Sequence, residues 1–144
     1  MVEPDTIRLL RECDAGIKMG VSSIDDVLNY VSSKEFKNEL SACRAEHEKL
    51  NSKLLKLLEK YHDDGKEPSA VAKGMSWIKT NVKLVLNESD QTIANLITDG
   101  CNMGVKSLNR YLNEYKAADE QSKEIAKELV RIEEDFTKQI KKFL

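Results

Sequence analysis

The chain has 144 residues, of which 33% are charged and 40% hydrophobic, and its 23 basic and 25 acidic side chains leave a formal charge of −2. This balance excludes a strongly basic surface for nucleic acid or anionic lipid, and the composition, with only two prolines and six glycines, is typical of a water-soluble helical protein. A chain of this length buries about 70% of the surface that its unfolded form exposes, so we expect a single domain that folds without a disulfide or a metal.

The first half of the sequence predicts an antiparallel pair of helices over residues 5–63. Apolar residues recur at spacings of three and four, and one position of the first stripe is occupied by Asp14. Ser32, followed three residues later by Glu35, predicts a capping box at the start of the second helix, whose apolar stripe includes His47. Because only a few residues separate the two helices, they are expected to pack against each other as a hairpin.

The second half predicts a connecting helix and then another helical hairpin. Residues 68–87 form a shorter amphipathic segment, which we interpret as a crossover, and residues 90–144 form the second hairpin. The crossover contains the only tryptophan, Trp77, between Met75 and Ile78. These three residues are the most plausible apolar interaction surface in the sequence.

The two hairpins are related by an internal repeat. Residues 16–29 reappear as residues 100–113 at an offset of 84, and residues 33–40 reappear as residues 122–129 at an offset of 89. A repeat that preserves order and changes one connection length indicates a duplicated helical hairpin. Each copy contains two helical glycines, Gly16 and Gly20 in the first and Gly100 and Gly104 in the second. Glycine costs about 1 kcal/mol of helix propensity relative to alanine, so we expect a neighbouring backbone to approach closely at these positions.

Two repeated hairpins joined by a long crossover resemble the ferritin-like superfamily. The chain is most similar to a bacterial family of small four-helix-bundle proteins of unknown function, in which a tryptophan-containing crossover lies between the hairpins. The likeness rests on Trp77-Ile78 and on a third helix that opens with Thr92-Ile93, contains Gly100 and closes with Tyr111-Leu112. It implies an all-α, ferritin-like four-helix bundle that occupies residues 1–144 as one domain.

The same resemblance raises the question of a di-iron centre. Such a centre takes one glutamate from each of two helices and a Glu-x-x-His pair from each of the other two. Both histidines of this chain, His47 and His62, lie on the second helix, and the single Glu-x-x-His, formed by Glu59 and His62, falls in its last turn. The closer relatives carry acidic residues beside the glycine of the third helix, where this chain has Thr98, Cys101 and Asn102. We therefore expect no metal and no other cofactor.

An unusual iron or manganese site is the alternative that the polar residues leave open. Asp14 and His47 both occupy apolar stripes, and a buried carboxylate needs a partner, a shifted pKa or water. Together with Glu48, and with Asp99 or Glu133 from the second hairpin, they could form a ligand cluster near the middle of the bundle.

The repeat favours a structural polar network instead. His47 aligns with Phe136 and Asp14 aligns with Thr98, so the equivalent positions of the second hairpin carry no metal ligand. Cys43 stands four residues before His47, but a cysteine within an apolar stripe has a raised pKa and is unreactive, which argues against a nucleophilic pair.

These patterns predict a protein that is not an enzyme and that acts as an interaction, scaffold or stress-associated module. We expect it to form a homo-oligomer, most simply a dimer, or to bind another protein; a metal-binding or redox protein is the alternative.

The three cysteines are odd in number and not closely spaced, which predicts reduced thiols. The first residues carry no basic patch followed by an apolar stretch, and the sequence has no apolar run of about 18 residues, so we expect a cytoplasmic protein.

Overall fold

A computed structural model describes residues 2–66 and 89–144. The described residues form four α-helices and no strand: α1 (Pro4–Leu28), α2 (Lys34–Lys60), α3 (Asp90–Glu114) and α4 (Glu120–Gln139), followed by a 3₁₀ turn (Lys141–Phe143). The prediction of an all-α four-helix protein is confirmed. The predicted crossover at 68–87, with Met75, Trp77 and Ile78, lies outside the described residues.

Contacts at the two ends of the bundle define how the helices are arranged. At one end, the turn between α1 and α2 meets the start of α3, because Asp90 accepts hydrogen bonds from the amides of Ser32 (2.8 Å) and Ser33 (2.9 Å). At the other end, the amide of Asp119 donates to Thr6 (2.8 Å). The hydroxyl of Tyr61 also donates to Asp119 (2.7 Å). Consequently α1 and α4 run in one direction and α2 and α3 in the other.

The four helices pack with α1 and α4 across the short diagonal of the bundle. Helix α1 contacts α2, α3 and α4, and α4 likewise contacts the other three helices, whereas α2 and α3 occupy opposite corners. Of the four helices, α1 contributes the largest number of buried residues to the interior.

Short side chains begin three of the four helices. The hydroxyl of Ser33 accepts from the amide of Phe36, that of Ser89 accepts from Thr92, and the carboxylate of Asp119 accepts from Ser122, so each satisfies an amide that has no partner within its helix. The predicted box between Ser32 and Glu35 is wrong by one residue. Ser32 is instead held through its amide by Asp90, and Glu35 forms an ion pair with Lys142 at the C-terminus.

The core consists of two apolar clusters, one toward each end of the bundle. The first contains Phe36, Leu40 and Phe136 next to the α1–α2 turn. The second contains Leu10, Leu54 and Leu129 next to the opposite end. The clusters meet at mid-bundle, where α2 contributes His47 instead of an apolar residue. This middle layer contains the candidate site.

A helix that crosses a bilayer needs about 20 predominantly apolar residues. Within 2–66 and 89–144, none of the helices has the length and apolar content that a membrane span requires.

The contact of Asp90 with the α1–α2 turn gives a direct test of the end-to-end arrangement. We expect Asp90→Ala to lower the free energy of unfolding by about 1 to 3 kcal/mol, because two amides lose a charged acceptor that also ties the two helix pairs together. Chemical denaturation followed by circular dichroism measures this change. The exposed Asp135 serves as a control, since Asp135→Ala should leave stability unchanged within about 0.5 kcal/mol. Equal stabilities for the two variants would contradict the arrangement.

Candidate functional site

The middle layer is built around an ion pair between α2 and α4. His47 Nε2 lies 2.9 Å from Glu133 Oε1, and the side chains are only 2% and 12% exposed. The other ring nitrogen, Nδ1, lies 2.8 Å from the carbonyl oxygen of Cys43. A carbonyl oxygen can only accept, so Nδ1 carries a proton, and a carboxylate opposite Nε2 favours a second proton on the ring. The geometry therefore supports a positively charged His47 paired with a negatively charged Glu133.

The titration of His47 agrees with this assignment. Burial opposes the charge and lowers the pKa of His47, but the side-chain hydrogen bonds to the Cys43 sulfur and the Glu133 carboxylate outweigh burial and raise the pKa to about 11. Because the ring has donors on both nitrogens, it is held by the protein on both sides. It has no free nitrogen with which to act as a general base.

Two cysteines lie beside the pair. Burial raises the pKa of the Cys43 thiol by more than its contact with His47 lowers it. Burial and the adjacent Glu133 carboxylate also raise the pKa of Cys101. Both thiols therefore keep their protons at neutral pH and act as small apolar groups. The raised pKa that the sequence predicts for Cys43 agrees with this direction.

Asp14 lies elsewhere, near the loop that follows α2. Its Oδ2 accepts hydrogen bonds from Lys18 Nζ and from the amide of Lys66, each at 3.0 Å, and the side chain is completely buried. Gly65 lies against the same carboxylate with a φ of +80°, and a Cβ there would overlap Asp14 Oδ2. The buried carboxylate thus anchors the loop to α1 through the backbone amide of Lys66, while its ion pair with Lys18 lies within α1.

The structure does not bring the five candidate ligands together. His47 and Glu133 form one pair, and Asp14 forms a separate network. Glu48 is exposed and lies 3.4 Å from Arg44, and Asp99 is exposed on α3. Among the residues that the structure describes, no group of three or more His, Cys, Asp or Glu side chains has the arrangement of a metal site.

The histidines and cysteines of the described core differ from the ligands of the di-iron centre that the resemblance implies. Only one histidine lies in the core, both of its nitrogens already bond to protein atoms, and the adjacent sulfurs carry protons. The other histidine, His62, is exposed beyond the end of α2, where its φ is +55°. These residues do not fit a di-iron centre.

A cavity of about 300 Å³ lies beside the ion pair, between α1 and α3. Sequence reasoning missed it, although the repeat carried the signal. Eight of the residues that line it are four identical pairs from the two copies: Gly16 and Gly100, Met19 and Met103, Gly20 and Gly104, Ser23 and Ser107. The aligned pair His47 and Phe136 also lines it. The most similar part of the repeat therefore surrounds one space from two sides.

The glycines face side chains in this layer, not a neighbouring backbone as we expected. A Cβ on Gly20 would lie 2.9 Å from His47 Nε2, and one on Gly16 would lie 3.6 Å from a methyl group of Leu129. On α3, a Cβ on Gly104 would lie 4.0 Å from the carboxyl carbon of Glu133. Of these three cavity-lining glycines, only Gly20 is sterically required, whereas Gly16 and Gly104 leave room for a methyl group.

Comparisons with known proteins identify no family for this chain. No protein-family model matches the sequence, and no curated protein is significantly similar to it.

The glycines of α1 provide a matched pair of variants. We expect Gly20→Ala to lower the free energy of unfolding by about 1 to 2 kcal/mol, because the new methyl group displaces a ring held on both sides and the cost exceeds the gain in helix propensity. Gly16→Ala adds the same methyl group at an ordinary contact distance, so it should raise stability by up to about 1 kcal/mol. Urea unfolding of both variants measures the difference. A stabilised Gly20→Ala protein would contradict the described position of His47.

The charge of His47 makes stability depend on pH. The folded pKa of about 11 lies above the ordinary value of 6.5, so its contribution is fully present below pH 6.5 and is lost as the pH rises through the folded value. Between these limits the folded protein holds the extra proton, and the free energy of unfolding should fall by up to about 1.4 kcal/mol per pH unit.

Denaturation at a series of pH values from neutral to pH 9 measures this slope. The double variant His47→Phe/Glu133→Leu removes both charges and should flatten it, whereas His62→Gln, which removes an exposed histidine, should retain it. A double variant with the slope of the original protein would show that His47 is not the charged group.

Proposed function

We propose that this chain is a non-enzymatic, ferritin-like four-helix bundle that acts in the cytoplasm as an interaction or scaffold module and associates as a homodimer. The observation that carries the proposal is the pairing of the buried charged groups of the core, His47 and Asp14, with other groups of the protein. His47 is bonded on both ring nitrogens, and Asp14 is bonded to Lys18 and Lys66. Since these polar groups are committed to protein partners, the described core supports binding better than catalysis.

The order of the helices supports the ferritin-like part of the proposal. The chain leaves α2 near Lys66 and enters α3 at Ser89, at the opposite end of the bundle. A single long connection between two antiparallel helix pairs is the arrangement of ferritin-like bundles.

Burial at aligned positions supports the origin of the two hairpins by duplication. Eight pairs are buried in both copies: Leu9 and Ile93, Leu10 and Ala94, Cys13 and Ile97, Ile17 and Cys101, Ile24 and Leu108, Phe36 and Ile125, Leu40 and Leu129, His47 and Phe136. Matching positions therefore face the common interior, as expected for two copies of one hairpin packed face to face.

Size-exclusion chromatography with light scattering tests the homodimer. We expect twice the mass of one chain over a wide range of protein concentration. The surface predicted from the sequence supplies a variant, Trp77→Ser, which should yield the monomer. Tyr30→Ser, a change at an aromatic residue that is 47% exposed, should leave the dimer intact. A monomer at every concentration would contradict self-association.

Elemental analysis of the same samples tests the alternative that the chain is a metal-binding or redox protein. Protein expressed with added iron and manganese should hold less than about 0.1 metal ion per chain, because the residues within 2–66 and 89–144 offer no complete ligand set. One bound ion per chain that is lost in His47→Phe/Glu133→Leu would overturn the non-enzymatic proposal in favour of a metal-binding or redox protein.

A further inference from the structure

We propose that the cavity between α1 and α3 is a binding site for a neutral, planar aromatic molecule with two fused rings. This inference is independent of the proposed homodimer, because it rests only on the interior of one chain.

The size of the cavity sets the size of the ligand. An apolar protein cavity of about 150 Å³ holds one benzene molecule, and small-molecule sites begin at about 300 Å³. At about 300 Å³, this cavity accommodates a ligand of the size of indole or naphthalene. Met103 lines the cavity and is 50% exposed, so the site lies next to the protein surface.

The lining favours an aromatic ring. Sulfur-bearing side chains come from three helices: Met19 from α1, Cys43 from α2, and Cys101 and Met103 from α3. Sulfur atoms are polarizable and make favourable contacts with aromatic rings, and methionine adapts its shape to irregular ligands. The glycine positions of α1 and α3 leave part of each of these two walls without a side chain, which suits a flat molecule.

The electrostatics favour a neutral ligand. Two carboxylates line the cavity, and each already has a cation: Glu133 pairs with His47, and Glu12 Oε1 lies 2.7 Å from Lys66 Nζ. Burial of a charged ligand here would leave that charge without a counter-ion, which is strongly unfavourable. The hydroxyls of Ser23 and Ser107 supply the cavity with neutral hydrogen-bonding groups.

Titration with indole derivatives tests the site. Indole and indole-3-acetamide are neutral, and indole-3-acetate has nearly the shape of the acetamide but carries a negative charge. We expect both neutral compounds to bind one molecule per chain with a submillimolar Kd and to raise the Tm, and the acetate to bind at least about tenfold more weakly. In protein labelled with ¹³C at the methionine methyl groups, the resonances of Met19 and Met103 should shift through the ring current of the ligand.

A cavity-filling variant locates the binding. Gly104→Leu places a side chain in the cavity and should weaken indole binding at least about tenfold. Asn102→Leu adds the same side chain at an exposed position two residues away and should leave the Kd unchanged. Circular dichroism establishes that each variant folds; if Gly104→Leu does not, Ser107→Leu fills the same wall from the next turn of α3.

Three results would each overturn the proposal. These are failure of both neutral compounds to bind, equal affinity for the charged and neutral members of the pair, and binding that survives the filling variant. None of them bears on the mass measured by light scattering, so the binding site in the cavity and the homodimer are tested independently.

Discussion

The buried ion pair between His47 and Glu133 constrains the middle of this bundle. Each partner is taken out of water and is stable there only because the other lies within hydrogen-bonding distance, so loss of either leaves an uncompensated charge in the core. The pair fixes α2 and α4 relative to each other at one height. It also separates the core into the two apolar clusters and requires glycine at position 20, where a methyl group would collide with the imidazole ring.

The cavity follows from the same constraint combined with the repeat. Similar segments of α1 and α3 face the interior with glycine, methionine and serine at aligned positions, and they leave a space that neither segment fills. The two hairpins differ in polarity at one aligned position of the cavity, where α2 contributes His47 and α4 contributes Phe136. One side of a nearly symmetric cavity is therefore polar but neutral overall, which is suited to selective binding of an uncharged molecule.

We propose a binding function and not catalysis because of the protonation states of the core residues. General acid–base catalysis needs a group that can exchange a proton near neutral pH, and nucleophilic catalysis by cysteine needs a thiolate. The pKa of His47 is raised far above neutrality, and the pKa of each adjacent thiol is raised as well. The described groups are thus held in single protonation states, which stabilises the fold and makes them poor reagents.

The sequence by itself determined the helices, their order and their inward faces, because periodicity, caps and short turns act between residues close together in the chain. Its error at the start of α2 arose where two adjacent serines could both cap. Ser33 caps the helix, and Asp90, 57 residues away from Ser33, accepts hydrogen bonds from the amides of both serines. Only the tertiary structure decided that His47 meets Glu133, 86 residues away, and that Asp14 meets Lys66. Periodicity specifies which face of a helix turns inward but not its height or rotation relative to another helix. The partners of the buried charges, and the space that the glycines leave open, depend on that height and rotation.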